Sequence, residues 1–216
     1  IMNIDVLSFA RLAYRVFEET GTKQMQVLDD EGKNLILRKI AGDYENKLTV
    51  LKGNIKKLGY ISEVKSVISE FTQYDIGEEE MDEMLDHLDE DSRLYYKLKD
   101  IRLLYEGFQD YLRERYITKE ELLDVLNSQV KESELLKNSV VVLDGFTGFT
   151  PVQNRLILEL MRCCKEVWVT VTMDERENPY AYKHPYQLFG LSKQMVTTLV
   201  RMAGEDHIEV EEPVCL

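Results

Sequence analysis

Long hydrophobic runs and cysteine are both scarce in this chain of 216 residues. The longest uncharged apolar run, around Val140–Leu143, is far too short to cross a bilayer, so the sequence predicts no membrane span. The 3 cysteines, Cys163, Cys164 and Cys215, provide neither a disulfide framework nor a CxxC pair. We therefore expect reduced thiols in a cytoplasmic protein.

The residues that usually build a catalytic or metal centre are also sparse. His87, His184 and His207 are scattered along the chain and have no ligand spacing. No Ser-His-Asp or Cys-His arrangement can be placed, and no GxxxxGK[ST] phosphate-binding loop is present. The sequence therefore predicts no catalytic residue and no metal site within this chain.

Positive charge is in short supply, because 27 Lys and Arg stand against 40 Asp and Glu, a formal net charge of −13. Proteins that neutralise DNA phosphates normally present a basic face, so the isolated chain is a poor candidate for tight DNA binding. Much of the acidic excess lies in residues 78–91, where Met81, Met84, Leu85 and Leu88 recur at helical spacing. We interpret this segment as a solvated acidic helix, which leaves a neutral or basic groove possible elsewhere.

The hydrophobic period divides the chain into three parts. Residues 3–7 predict a strand, followed by a helix that begins after Ser8 and ends at Gly21. From Asp29 to about Leu136 the period is helical throughout, and Thr118 with Glu121 predicts a capping box. We therefore predict an α/β domain in two parts, residues 1–28 and 138–216, separated by an all-helical insertion at residues 29–137.

The α/β pattern resumes with the continuous apolar run Val140–Leu143, which is typical of a parallel strand covered on both faces. Thr150, Pro151 and Gln153 predict the capped start of the next helix. The remaining predictions are a strand at residues 167–172, a polar loop at 174–186, a helix at roughly 185–203 and a possible strand at 207–210. The first residues, Ile-Met-Asn-Ile-Asp, already have a strand pattern, so we interpret the chain as an internal piece of a longer protein.

Asp144 follows the apolar run, and four apolar residues ending in aspartate form a Walker B pattern. Such a strand delivers a carboxylate to the sheet edge where open α/β sheets bind ligands, and the carboxylate can hold Mg²⁺. Many parallel strands end in aspartate, however, and the simpler alternative is that Asp144 only caps a turn.

The spacing beyond the aspartate resembles motif II of UvrD-like superfamily-1 helicases. Asp144, Phe146 and Gln153 fall on matching positions, whereas Gly145 replaces the glutamate that is the base for the attacking water in that family. Glycine cannot accept a proton, so the resemblance implies a degenerate Walker B site made of Asp144, Gly145 and Gln153. It also implies an incomplete, P-loop-NTPase-like parallel-sheet domain with the helical insertion described above.

A second segment, residues 6–19, resembles the helicase motif at a strand-to-helix corner on the floor of the single-strand groove. A helix N-terminus there offers free N–H groups to a phosphate, Arg11 and Arg15 can pair with phosphate, and an aromatic ring can stack on a base. We predict DNA contacts at Phe9, Arg11 and Tyr14 from this corner and at Phe146 and Phe149 from the loop after the second strand. The alternative is that Phe9 is a core residue and that the solvated face of the helix consists of Arg11, Tyr14 and Arg15.

Four segments occur here in the order found in AddB proteins: SFARLAYRV, DDEGK, DGFTGFTPVQ and EVWVTVTMD. The chain resembles the N-terminal, helicase-like part of that family, and DGFTGFTPVQ is the most specific of the four. The resemblance implies an AddA-type partner subunit and a complex that resects DNA double-strand breaks and recognises the hotspot Chi on single-stranded DNA. It also implies that Mg²⁺, ATP and a 4Fe–4S cluster are bound outside this chain.

Two functions from different classes remain open at this point. In the first, the α/β layer contacts the translocating strand and helps to recognise Chi. In the second, the chain is a structural domain that braces the AddA partner without direct DNA contact, through its acidic helical part. An active ATPase is disfavoured by Gly145 and by the missing phosphate-binding loop.

Overall fold

The structure, a computed structural model, describes residues 4–22, 26–55, 57–113 and 115–214. It is an α/β fold, mostly helical, and the described residues form two small parallel sheets. The helices are α1 (Phe9–Thr20), α2 (Asp30–Asp43), α3 (Leu58–Gln73), α4 (Glu78–Asp86), α5 (Arg93–Leu112), α6 (Glu121–Gln129), α7 (Glu134–Lys137), α8 (Pro151–Cys163) and α9 (Gly190–Glu205), with a 3₁₀ turn at Val130–Glu132. The strands are β1 (Gln26–Val27), β2 (Tyr116–Ile117), β3 (Val140–Leu143) and β4 (Glu166–Val169). None of the helices in these ranges is long and apolar enough to cross a membrane.

The chain groups into two compact units, Ile1–Thr22 with Leu123–Leu216, and Lys23–Leu122. The first unit is thus assembled from both ends of the chain and contains β3 and β4. It also contains residues 123–137, which the sequence assigned to the helical insertion. The predicted boundaries at residues 28 and 137 stay predictions.

Strands β3 and β4 form the sheet of the first unit, which we call the α/β unit. They run parallel, in a register that pairs Val140 with Glu166 and Leu143 with Val169. One face of this pair packs on helices α8 and α9, and the buried cluster beneath it consists of Leu143, Ile157, Met195 and Leu199. The apolar side chains of α8 and of the two strands therefore pack in one core.

Only one face of this sheet is covered by the described residues. Val140 and Val142 are exposed, Val141 is half-buried and Leu143 is buried. The prediction that β3 is covered on both faces is therefore wrong for this part of the protein. A short apolar run fits a strand covered on one face or on two, and periodicity does not distinguish them.

Local side-chain signals start and stop the helices as predicted. The Ser8 hydroxyl accepts the Arg11 N–H at 3.4 Å, and Gly21 ends α1 in the left-handed region at φ 67°. In the predicted capping box, the Thr118 N–H donates to the Glu121 carboxylate at 2.7 Å, and the Glu121 N–H donates to the Thr118 hydroxyl at 3.2 Å.

The second unit has its own core between helices α2, α3, α4 and α5. The buried side chains include Leu37, Ile40, Ile61, Val64, Ile68, Met81, Leu104 and Phe108. Strand β1 pairs in parallel with β2, so Gln26 faces Tyr116 and Val27 faces Ile117. The segment 29–137 is therefore not all helical, because β2 lies within it. A two-residue strand depends on a distant partner and leaves no periodicity of its own.

Three further predictions differ from the structure. Residues 4–7 form no strand, and Ile4 and Val6 are exposed; Asn3 lies outside the described residues. Residues 207–210 are not a strand either, and β4 ends at Val169 rather than at residue 172. Helix α9 begins at Gly190 instead of near Pro185. Strands need a neighbouring edge to pair with, and an apolar run alone does not supply one.

Two buried polar contacts stabilise the second unit, which we call the helical unit. The carboxylate of Asp100, on α5, accepts the backbone N–H groups of Thr49, Val50 and Leu51 at 2.8 to 3.0 Å. The Lys33 ammonium, also buried, lies 2.7 Å from the Glu120 carboxylate. Burial by itself raises the pKa of Glu120, but the hydrogen bond and charge of Lys33 outweigh it, and the net pKa is lowered.

We expect Asp100→Asn to lower the free energy of unfolding by about 2–4 kcal/mol, because the buried N–H groups lose a charged acceptor. Urea unfolding, monitored by circular dichroism, measures this loss of stability. The matched control is Asp110→Asn on the same helix, where the carboxylate is exposed and pairs with Arg113 at 3.2 Å. The control should change stability by less than about 0.5 kcal/mol. Equal midpoints for the two variants would contradict this role of Asp100.

Candidate nucleic-acid interface

Asp144 begins the loop after β3, and this loop is tied to the segment after β4. The Thr170 hydroxyl donates a hydrogen bond to the Asp144 carboxylate, and the Thr170 N–H donates to the Leu143 carbonyl at 3.0 Å. Because β3 and β4 are parallel, both following segments start at the carboxyl edge of the sheet. Ligands bind at that edge in open α/β folds.

Gly145 makes the turn immediately after Asp144. Its φ is 78°, in the left-handed region that glycine adopts at little cost. A glutamate at this position, as in the helicase motif it resembles, would be held in a conformation that residues with a Cβ rarely adopt. Backbone geometry and side-chain chemistry therefore agree that this position does not serve as a general base.

Gln153 acts at the start of α8. Its side-chain oxygen accepts the Thr150 N–H at 2.9 Å, and its own N–H donates to the Thr150 hydroxyl at 3.4 Å. This is the predicted capping box, with Pro151 in the first turn. The Gln153 match to the helicase motif thus has a local structural function in this protein.

Three phenylalanines from the two predicted segments form one cluster, which we call the phenylalanine cluster: Phe9, Phe146 and Phe149. The ring centroids of Phe9 and Phe146 are 5.7 Å apart, and those of Phe146 and Phe149 are 4.8 Å apart. Each ring is partly buried and packs against the core beneath β3. Partly exposed rings at a sheet edge can offer a face to a nucleobase while their other face packs inward.

Arg11 and Tyr14 lie on another side of α1. At about 100° per residue, they are rotated by roughly 200° and 140° from Phe9 around the helix axis. Arg11 is exposed and forms no ion pair with the described residues. Tyr14 is 41% exposed, and its ring meets the edge of Phe17 at 6.5 Å. The structure thus brings three of the five predicted DNA-binding residues together, whereas Arg11 and Tyr14 lie on nearly the opposite side of α1 from Phe9.

Two contacts that the sequence did not reveal hold α1 in place. Near its end, the Glu19 carboxylate accepts the Ser133 hydroxyl and the Leu135 N–H, the latter at 2.8 Å. The hydrogen bond from Ser133 lowers the pKa of Glu19. In the middle of α1, Arg15 pairs with Asp5, which precedes the helix, at 3.1 Å, so this arginine is partly neutralised while Arg11 is not. Both contacts, like the hydrogen bond from Thr170 to Asp144, join residues that are more than one helical turn apart in the sequence. No local sequence pattern therefore indicates them.

The family resemblance implied metal centres outside this chain, and the described residues offer no grouped ligands for one. No group of three His, Cys, Asp or Glu side chains in this part of the chain could hold a metal ion. Asp144 is a single exposed carboxylate whose hydrogen-bond partner is a neutral threonine. Four thiolates are needed for a 4Fe–4S cluster, but the chain has 3 cysteines, and burial raises the pKa of Cys164 to about 11.

A family described as ADDB, N-terminal, matches residues 1–216. The chain belongs to this AddB family. Relatives named as the B subunit of an ATP-dependent helicase/deoxyribonuclease include one from Lachnoclostridium phytofermentans, 42% identical over 99% of this chain and 19% of the relative. That from Clostridium kluyveri is 35% identical over 100% of this chain and 18% of the relative. The AddB chain described here therefore spans about a fifth of the length of the curated relatives it matches.

We expect Gly145→Ala to lower the free energy of unfolding of this AddB chain by about 1–2 kcal/mol, because alanine is strained at positive φ. The matched control is Gly148→Ala in the same loop, where φ is not in the left-handed region and a Cβ would meet no atom within 4 Å. The control should shift stability by less than about 0.5 kcal/mol. Thermal unfolding of both variants measures the difference, and a neutral Gly145→Ala would show that the turn tolerates a side chain.

Proposed function

We propose that this chain is a region of the B subunit of an ATP-dependent helicase–nuclease that resects DNA double-strand breaks for recombinational repair. Membership of the AddB family and the name that its relatives carry support this proposal. The region works in the cytoplasm within a heterodimer with an AddA-type subunit. Its helicase-like α/β fold is degenerate and serves DNA contact rather than ATP turnover.

Within that complex, the region contacts the translocating single strand and helps to recognise Chi. The phenylalanine cluster is the observation that carries this proposal, because Phe9 comes from α1 and Phe146 and Phe149 from the loop after β3. These two segments are distant in sequence, and both resemble DNA-facing or ligand-facing motifs of helicases. Stacking of a base on an aromatic ring is worth about 1–3 kcal/mol.

The net charge of −13 does not favour such a contact, so the proposal depends on the local features of the α/β unit. The densest acidic segment, residues 78–91, includes α4 and lies in the helical unit, whereas the phenylalanine cluster lies in the α/β unit. Arg11, unpaired among the described residues, offers a cation on α1 for a backbone phosphate. The competing function, a structural domain that braces the partner without touching DNA, is favoured only by the acidic surface of α4.

Arg11→Ala in the intact heterodimer separates the two functions. If Arg11 contacts a phosphate, the slope of log affinity against log salt for single-stranded DNA should fall by about one, and Chi recognition should weaken. Translocation should be largely unchanged, because ATP is turned over elsewhere. The measurements are salt-dependent DNA binding and Chi-dependent protection of the cut strand.

The matched control is Arg201→Ala, an exposed helical arginine of the same unit that pairs with Glu205 at 2.7 Å. It should leave the salt slope and Chi recognition unchanged. Phe146→Leu, which keeps an apolar side chain but removes the ring, should weaken Chi recognition roughly 5- to 150-fold if stacking is lost. Unaltered recognition in both Arg11→Ala and Phe146→Leu would favour the structural function instead.

We further propose that this chain does not bind or hydrolyse ATP. The backbone N–H nest of a phosphate-binding loop is missing from the sequence, Gly145 replaces the base, and the net charge opposes an anionic ligand. Isothermal titration of the chain with Mg²⁺-ATP should give no measurable heat of binding, and a phosphate-release assay should give no turnover. Micromolar binding, or turnover that Asp144→Ala abolishes, would contradict this proposal.

A further inference from the structure

Positive charge is concentrated in one stretch of the helical unit. Residues 46–62 contain four lysines and neither aspartate nor glutamate, in a chain whose net charge is −13. By contrast, Lys33 of the same unit is paired with Glu120. The lysines of the stretch that the structure describes are exposed and form no ion pair with a described residue: Lys47, Lys52 and Lys57. The stretch is therefore a local excess of positive charge on an acidic protein.

A buried carboxylate fixes this stretch against α5. Asp100 accepts the backbone N–H groups of residues 49–51 at 2.8 to 3.0 Å. After Leu51 the chain turns at once, because the Ile55 N–H donates to the Leu51 carbonyl at 3.0 Å. Successive exposed lysines of the stretch are five residues apart, so their Cα atoms are separated by no more than about 18 Å. The three ammonium groups are therefore held on one side of α5.

Helix α5 adds a fourth cation and separates the group from the acidic surface. Lys97 is exposed and lies about 60° from Asp100 around the helix axis, on the side that faces residues 49–51. Arg102 lies about 160° from Asp100, and it donates to Asp82 of the acidic helix α4 at 2.8 Å. The acidic helix thus packs on the other side of α5. We define the lysine patch as Lys47, Lys52, Lys57 and Lys97.

The aromatic rings beside the lysine patch are engaged within the protein. The Lys47 ammonium lies 4.8 Å from the centre of the Tyr44 ring, and the Lys99 ammonium lies 5.8 Å from that of Tyr95. Single-strand sites that bind without sequence preference combine positive charge with open aromatic faces on which bases stack. The lysine patch offers ammonium groups and suits phosphate oxygens, which position a nucleic acid without reading its sequence.

We propose that the lysine patch is a second DNA site of AddB, which binds the phosphodiester backbone without reading base sequence. This rests on the proposed function only in that the complex acts on DNA. Exposed lysines without carboxylate partners release counterions from DNA when they contact phosphates, and this release is favourable at low salt. An acidic protein segment is a poorer ligand, because lysine is depleted and arginine enriched at protein–protein interfaces, and the four cations of the patch are all lysines.

The test combines Lys47→Gln, Lys52→Gln and Lys97→Gln in the intact heterodimer. Lys57 stays in place, because its ammonium also donates to the Asn54 side chain at 2.8 Å. Binding is measured against salt for a hairpin duplex and for an oligo-dT single strand. The slope of log affinity against log salt should become shallower by about 2.7 if the duplex is bound here, or by about 2 if the single strand is bound. The DNA whose slope changes identifies the bound form.

The matched control removes the same charge from exposed side chains that are already paired with carboxylates. It combines three substitutions and should leave both slopes nearly unchanged: Arg113→Gln, Lys137→Gln and Arg201→Gln. Each exposed substitution in either variant should change stability by less than about 0.5 kcal/mol, which urea unfolding checks.

Two results would overturn the proposal. The first is an unchanged slope with both DNAs in an assembled heterodimer that carries the three lysine substitutions. The second is a folded variant that no longer assembles with the partner subunit, because the patch would then be a protein interface. Chi-dependent protection of the cut strand should be normal in the lysine variant, whereas Arg11→Ala weakens it. Failure of the Chi proposal and failure of the lysine patch are thus told apart.

Discussion

Parallel pairing of β3 with β4 brings the ends of both strands to one edge, and the candidate DNA interface is built on that edge. The register places Leu143 opposite Val169, so Asp144 and Thr170 are neighbours and close the edge with a hydrogen bond. Gly145 then turns the chain at positive φ, which lets Phe146 reach the ring of Phe9 from α1. Without the pairing, neither the loop nor the phenylalanine cluster would have a fixed position.

This arrangement keeps the local sequence pattern of a Walker B segment without its chemistry. The strand, the aspartate and the capped helix of a Walker B pattern are all present, and the N-terminus of that helix has its capping hydrogen bonds. Gly145 cannot act as a base, and Gln153 is engaged in a capping box. The exposed surfaces that remain, rings at the sheet edge and a cation on α1, suit the stacking and phosphate contacts of single-strand binding.

How far the sequence could predict this structure depends on whether the signal was local. The caps at Ser8, Thr118 and Thr150 and the helix α5 were predictable, because their partners lie within one helical turn or recur at a helical period. Pairing was not predictable in the same way. Residues 4–7 resembled a strand but have no strand neighbour among the described residues, whereas the two-residue strand at Tyr116 was missed because its partner is distant in sequence.

The same distinction applies to the candidate site. Phe9, Phe146 and Phe149 were each predicted from a motif, but their mutual contact, the Thr170 bond to Asp144 and the open outer face of β3 emerged only from the three-dimensional arrangement. The most direct measurement is photocrosslinking of the intact heterodimer to single-stranded DNA with 5-iodouracil at successive positions, followed by peptide mapping. Our account predicts crosslinks to the peptide that contains Phe146 and Phe149. Efficient crosslinking elsewhere in the complex, with none to this peptide at any position of the label, would contradict it.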